Sequence, residues 1–125
     1  MWVIRNEQMR VLATSNRDRY LSRLMDTFRA LWPEQVSELG DGYLDFLESS
    51  ISRAAAYGID SESDVARFIN LCFVWGSEFE ALPENEWARR ILNTPELEGK
   101  AKVGELVTRT KFRLKVRSSN RRVAS

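Results

Sequence analysis

The sequence contains no histidine, and this absence removes most of the side-chain chemistry that small enzymes use. Without histidine there is no Ser-His-Asp or Cys-His nucleophile pair, no imidazole base and no metal site with a histidine ligand. Among the common options only carboxylate chemistry is left. The residue types therefore say more about the fold and surface of the protein than about any reaction it could catalyse.

Cysteine, proline and glycine are scarce, at one, three and six residues. The single cysteine, Cys72, cannot form an intramolecular disulfide, which fits a reducing cytoplasm. The longest apolar run, residues 71–75, is far shorter than the roughly 20 residues that a membrane-spanning helix needs. The N-terminus lacks the apolar segment and cleavage site of a secretory signal. We therefore expect a cytoplasmic protein that does not enter a membrane.

Apolar residues are plentiful, at 43% of 125 residues, which is enough for one hydrophobic core without disulfides or metals. We predict one helical domain over residues 1–117 and a frayed basic tail over residues 118–125.

Charge is unevenly distributed along the chain. Residues 33–98 hold four arginines against fourteen acidic residues, a net charge of −10. Residues 99–125 hold nine basic residues against Glu105 alone, a net charge of +8. Such a division predicts either a basic helix lying against an acidic body or two opposite surfaces offered to partners.

Apolar residues recur at helical spacing through most of the chain. In the clearest helix, residues 20–32, Ser15 or Asn16 is placed to cap the start, unless a helix from residue 6 continues into it, and Pro33 ends it. A short helix follows over residues 33–39. Asp41 is then predicted to cap a longer helix, whose buried stripe consists of Leu44, Leu47, Ile51, Ala54 and Ala55, widened by Tyr43 and Phe46.

The next helix, over residues 61–75, is apolar on almost every side in its second half, which is typical of the central helix of a bundle. Thr94 and Pro95 are predicted to begin the final helix. Residues 110–117 alternate basic and apolar side chains, the period of a strand, but no second strand is evident to pair with them. We prefer a helix here, with an extended arm as the alternative. The predicted fold is all-α, a compact bundle of five or six helices with a basic C-terminal helix or arm.

Four carboxylates, Glu78, Glu80, Glu84 and Glu86, lie close together in the sequence. They could form an acid/base pair, or a divalent-metal site together with Asp41 and Asp45. Their spacing matches no metal-binding loop, so we interpret them as ordinary polar loop residues. Cys72, within an apolar run, is interpreted as a buried core residue. The glycines match no phosphate-binding loop. We predict no catalytic, metal or cofactor residues, and no enzymatic activity.

Several short motifs of the chain form a recognisable set, carried by Ile4, Arg5, Gln8, Ala56, Tyr57, Gly58, Ile59, Glu62, Asp64, Val65, Phe68, Gly76, Phe79, Trp87, Ile91 and Leu92. Together they resemble small helical proteins encoded beside type VI secretion spike and effector genes in bacteria. The resemblance covers roughly residues 3–95 and contains no catalytic signature.

The resemblance implies a cytoplasmic adaptor or co-chaperone that helps to hold a secreted effector, or the effector's chaperone, for loading onto the spike or its PAAR-repeat tip. The expected partner is thus another protein, and self-association is left open. Candidate contact residues are Ile4, Arg5 and Gln8 near the start and Phe112, Arg113, Leu114, Lys115 and Val116 near the end.

Two alternatives remain at this point. The acidic middle of the chain could block the active site of a toxin, as an immunity protein does. The basic C-terminus could contact nucleic-acid phosphates, as in a small DNA-associated regulator, although no helix-turn-helix recognition pattern is present.

Overall fold

Helices form every regular element of the chain that is described in the computed structural model, which covers the backbone of residues 13–124 and the side chains of residues 17–117. In that part of the chain there are six α-helices, and the predicted all-α fold is confirmed. The helices are α1 (Ala13–Leu31), α2 (Pro33–Leu39), α3 (Tyr43–Ala56), α4 (Glu62–Trp75), α5 (Glu86–Leu92) and α6 (Gly99–Ala124). Short 3-10 turns lie at Gly40–Gly42, Phe79–Ala81 and Pro83–Asn85.

Helix α4 is the centre of the bundle, as the sequence predicts, and packs against α1, α3 and α6. The Ser61 hydroxyl caps its start by accepting a hydrogen bond of 3.2 Å from the Asp64 backbone N–H. Gly76 ends it with a φ of 115°, a conformation that residues with a Cβ rarely adopt. Val65, Phe68 and Ile69 are at most 1% exposed.

An aromatic cluster joins α1, α3 and α4. The Phe73 ring of α4 lies 5.3 Å from the ring of Phe28, 5.6 Å from that of Trp32 and 5.0 Å from that of Phe46. These separations are typical of favourable stacked and edge-to-face pairs. The indole N–H of Trp32, the residue directly after α1, also donates to the Asn70 side-chain oxygen at 2.8 Å, so the end of α1 is held against α4 by both apolar and polar contacts.

The predicted start of α3 is wrong by one residue. Asp41 lies in the 3-10 turn before the helix and makes no capping hydrogen bond; Gly42 is the N-cap residue. The helix that follows this turn faces the core with a stripe of buried residues that begins at Tyr43. Leu44, predicted to be buried, is 41% exposed. At the start of α1 the backbone is already helical at Ala13, so neither Ser15 nor Asn16 is a cap.

The final helix begins at Gly99, later than predicted. Thr94 caps nothing; its hydroxyl donates to the Arg90 carbonyl oxygen at 2.7 Å and so extends the end of α5. Once started, α6 continues without a break over residues 110–117, which confirms the helix against the extended arm. Its backbone is also helical over residues 118–124, the segment assigned to a frayed tail, and the fraying stays a prediction.

The start of α6 passes very close to the turn after α3. A Cβ at Gly99 would overlap the Gly58 carbonyl group, whereas a Cβ at Gly104, five residues further along α6, would meet nothing within 4 Å. The Lys102 ammonium group holds the same junction by donating to the Tyr57 carbonyl oxygen at 2.9 Å. Glycine at position 99 therefore lets two backbone segments approach each other.

We expect opposite effects from alanine at these two glycines. Gly99→Ala should lower the free energy of unfolding by about 1–3 kcal/mol, because backbone must move to admit the methyl group. Gly104→Ala should raise it by about 0.5–1 kcal/mol, through helix propensity alone. Urea unfolding followed by circular dichroism measures both, and equal effects at the two positions would contradict the close approach.

Candidate functional site

The end of α6 carries the most exposed large apolar side chain of the described residues. Phe112 is 67% exposed, and Leu114 and Val116 are also exposed. Thr110 is the last residue of α6 that is buried among those with described side chains, and residues 111–117 are all exposed. The helix is therefore buried against the body in its first half, whereas residues 111–117 of its second half are exposed.

A groove of about 940 Å³ runs between this second half of α6 and the segment that joins α4 to α5. Val74 and Trp75 at the end of α4 form its floor together with Trp87 of α5. The α6 side is formed by Thr108, Arg109, Phe112, Arg113, Val116 and Arg117, and the opposite side by Leu82, Glu84 and Asn85.

Two tryptophans are fixed in the groove by specific contacts. The Trp75 indole N–H donates to the Thr110 hydroxyl oxygen at 3.0 Å, which ties the end of α4 to α6. The Trp87 ring meets the Trp75 ring edge to face, with centroids 5.9 Å apart and an interplanar angle of 71°. Both side chains are only partly buried, so part of each tryptophan ring faces the groove.

Arginines from α6 lie over these rings. The guanidinium carbon of Arg113 is 4.5 Å from the centroid of the Trp87 ring, and that of Arg117 is 5.8 Å from the Trp75 ring. Both distances fall within the range of cation–π attraction. Arg109, one turn earlier, pairs with Glu105 at 3.4 Å on the same helix. The three arginines thus follow one edge of the groove at intervals of four residues.

The opposite wall is held by a buried ion pair beneath it. Arg53 of α3 donates two hydrogen bonds of 3.0 Å to the Glu80 carboxylate, and the Tyr57 hydroxyl donates a third at 3.3 Å. The Arg53 side chain is 19% exposed and the Glu80 side chain is 6% exposed. The buried Asn85 amide donates to the Phe79 carbonyl at 3.0 Å, so the 3-10 turns of this wall are tied to each other.

The Glu80 pKa is lowered from its usual value. Burial alone would raise the pKa, but the hydrogen bonds and positive charge of Arg53 and the Tyr57 hydroxyl favour the carboxylate by more. The ionised pair is therefore the stable state at neutral pH. The other three carboxylates of the sequence cluster, Glu78, Glu84 and Glu86, are exposed and do not share this environment.

Within the described residues, no three acidic or thiol side chains come together in a way that could hold a metal ion. Cys72 is buried, as expected, and burial raises the pKa of its thiol despite the Arg53 guanidinium at 3.6 Å. That cation lies nineteen residues away in the sequence and could not be identified from the residues around Cys72.

The predicted contact residues fall into three groups. Phe112, Arg113 and Val116 line the groove, whereas Leu114 and Lys115 are exposed outside it. Ile4, Arg5 and Gln8 lie outside the described residues. The sequence analysis missed Trp75, Arg109 and Arg117 as groove residues. The four-residue spacing of Arg109, Arg113 and Arg117 could have indicated a row on one helix face. The strand-like alternation of residues 110–117 drew attention away from that spacing.

Comparison with known protein families, curated proteins and solved structures finds no match to this chain. No helix among the described residues has both the length and the apolar character needed to cross a membrane.

Proposed function

We propose that this protein is a non-enzymatic adaptor that holds a segment of another protein in the groove beside α6. The observation that carries the proposal is the exposed Phe112 beside a floor formed by Trp75 and Trp87, which contact each other. Tryptophan and arginine are the residue types most enriched among the energetically dominant contacts of protein interfaces. Here two tryptophans and three arginines surround one concave surface.

The proposal has a physical driving force. Fully burying a side chain such as Phe112 contributes about 1.5–3 kcal/mol, and exposed Val116 adds to the same surface. A concave site with a mainly apolar lining and a few charged groups at its edge has the usual build of a binding pocket. The tryptophans are already held in place, so an incoming segment would spend little free energy on ordering them.

We further propose that the partner is a type VI secretion effector or its chaperone, and that the adaptor acts in the cytoplasm by stabilising this partner for loading onto the spike. Support for this role comes from the sequence resemblance over residues 3–95. The groove supplies what such an adaptor needs, which is a surface that can protect an apolar segment of the partner.

Coexpression with the effector encoded beside the gene tests the proposal. An adaptor should raise the level or secretion of the effector, and Phe112→Asp should abolish this gain while the variant remains folded. Leu44→Asp is the matched control, because it places the same charge at an exposed leucine on α3. The point variant is preferable to deleting residues 110–125, because that deletion also removes the hydrogen bond between the Trp75 indole N–H and the Thr110 hydroxyl.

Two outcomes would contradict the adaptor role. Protection of cells from a toxic effector, with no change in its level or secretion, would indicate an immunity protein. An unchanged gain with Phe112→Asp would show that the groove is not the contact surface.

A further inference from the structure

We infer that the groove takes an acidic amphipathic helix of the partner, with its apolar side chains against Trp75 and Trp87 and its carboxylates along the arginines of α6. This inference rests on the proposed function and specifies the chemistry of the segment that is held.

The first support is the arrangement of the arginines. Arg109, Arg113 and Arg117 line the groove on one helix at intervals of four residues, which corresponds to a rise of about 6 Å per step. A second helix lying along α6 would meet this row with acidic residues at the same interval. Carboxylates accept paired hydrogen bonds from arginine with good geometry, so such a row also gives orientation.

The second support is that α6 contains one acidic residue against nine basic residues. Glu105 is the last acidic residue of the chain, and six more basic residues follow Arg109. Within the described residues, neither Arg113 nor Arg117 forms an ion pair, and Arg109 pairs with Glu105. Like charges four residues apart destabilise a helix by about 0.2–0.5 kcal/mol per pair. An acidic partner would relieve this repulsion along the whole row.

The opposite wall of the groove favours a peptide over a nucleic acid. Glu84 lines that wall, and residues 33–98 carry a net charge of −10. Duplex DNA carries a negative charge about every 1.7 Å along its axis, so its phosphates would also approach Glu84. An amphipathic helix instead confines its carboxylates to one face. It can place apolar or basic residues toward Glu84 and apolar residues on the tryptophan floor.

The test uses designed probes and the full-length protein, and it needs no effector. The acidic probe is a fluorescein-labelled helical peptide of about 18 residues, with leucines at helical spacing and glutamates flanking them. The basic probe has the same leucines with lysine in place of every glutamate. A labelled DNA duplex is the third probe. Fluorescence anisotropy at physiological salt measures the affinity for each.

We expect the acidic probe to bind and the basic probe and the duplex to bind at least about tenfold more weakly. Arg113→Glu should lower the affinity for the acidic probe by about 10- to 100-fold, because a charge-assisted contact is lost and the charge at that position is reversed. Lys100→Glu is the matched control, because it makes the same charge change at an exposed position near the start of α6, outside the groove. It should change the affinity by less than about twofold.

Equal binding of the acidic and basic probes, tighter binding of the duplex, or an equal loss with Lys100→Glu would overturn the inference. Failure of the proposed function is a separate result. It would be seen in the coexpression experiment as an effector that is unaffected by the protein, whatever the peptides do.

Discussion

Replacing Ile69 with aspartate is expected to unfold the domain. Ile69 is fully buried on α4, the helix that packs against α1, α3 and α6. An ionised carboxylate at that position would have no partner, and a protonated one would still bury an unpaired polar group. Added to the lost apolar contacts of Ile69, either cost is comparable with the roughly 5–15 kcal/mol by which small domains are stable. Loss of the cooperative thermal transition in circular dichroism, with an expanded size on gel filtration, is the expected result.

Leu44→Asp is the control for this prediction. Both residues belong to apolar helical stripes in the sequence, but the structure leaves Leu44 41% exposed. Its replacement should therefore change the free energy of unfolding by no more than about 0.5 kcal/mol. A folded Ile69→Asp variant, or an unfolded Leu44→Asp variant, would contradict the packing of α3 and α4.

Glu80→Ala is expected to lower the free energy of unfolding by about 3–5 kcal/mol, because it leaves the Arg53 charge buried without its partner. One guanidinium nitrogen of Arg53, Nη1, is already buried without a hydrogen-bond partner among the described residues, so little remains to satisfy the charge. Urea unfolding measures the loss. Glu86→Ala, which removes an exposed pair with Arg90 on α5, should cost no more than about 0.5 kcal/mol.

A double variant shows whether the loss of stability comes from the unpaired Arg53 charge or from lost packing at Glu80. In Arg53→Met/Glu80→Leu both charges are removed and the volume is roughly kept, so most of the stability should return. If the double variant were as unstable as Glu80→Ala, the cost would lie in packing and not in the unpaired charge.

The same carboxylate gives the domain a pH dependence. Since the Glu80 pKa is lower in the folded protein than its usual 4.5, the unfolded chain binds this proton first as pH falls. The contribution of the pair is fully present above the unfolded value and is lost below about pH 4.5, as the pH falls through the folded pKa. Glu80→Gln should show a weaker decline in stability over this acidic range than the wild type.

The helices were predictable because local chemistry determines them. Ser61 and Gly76 bound the central helix through capping and a positive φ, and both features belong to residue type alone. Asp41 and Thr94 have the right residue types for caps but do not cap. In each case a turn intervenes, and its hydrogen bonds depend on which segments pack around it.

The groove was less predictable, because its residues meet only through tertiary packing. Trp75 and Thr110 are thirty-five residues apart, and a single hydrogen bond joins them. The alternation of basic and apolar residues over residues 110–117 suggested the two-residue period of a strand. In the helix that forms instead, Arg113 and Arg117 lie one turn apart in a row beside Phe112. Similarly, Glu80 differs from its acidic neighbours because it is buried beside Arg53 of α3 and the Tyr57 hydroxyl.

The affinity of the purified effector for the wild-type protein and for Phe112→Asp, measured by isothermal titration calorimetry, tests the central claim most directly. The account predicts binding by the wild type, a loss of at least about tenfold with Phe112→Asp, and no change with Leu44→Asp. Equal affinities for the wild type and Phe112→Asp would contradict it.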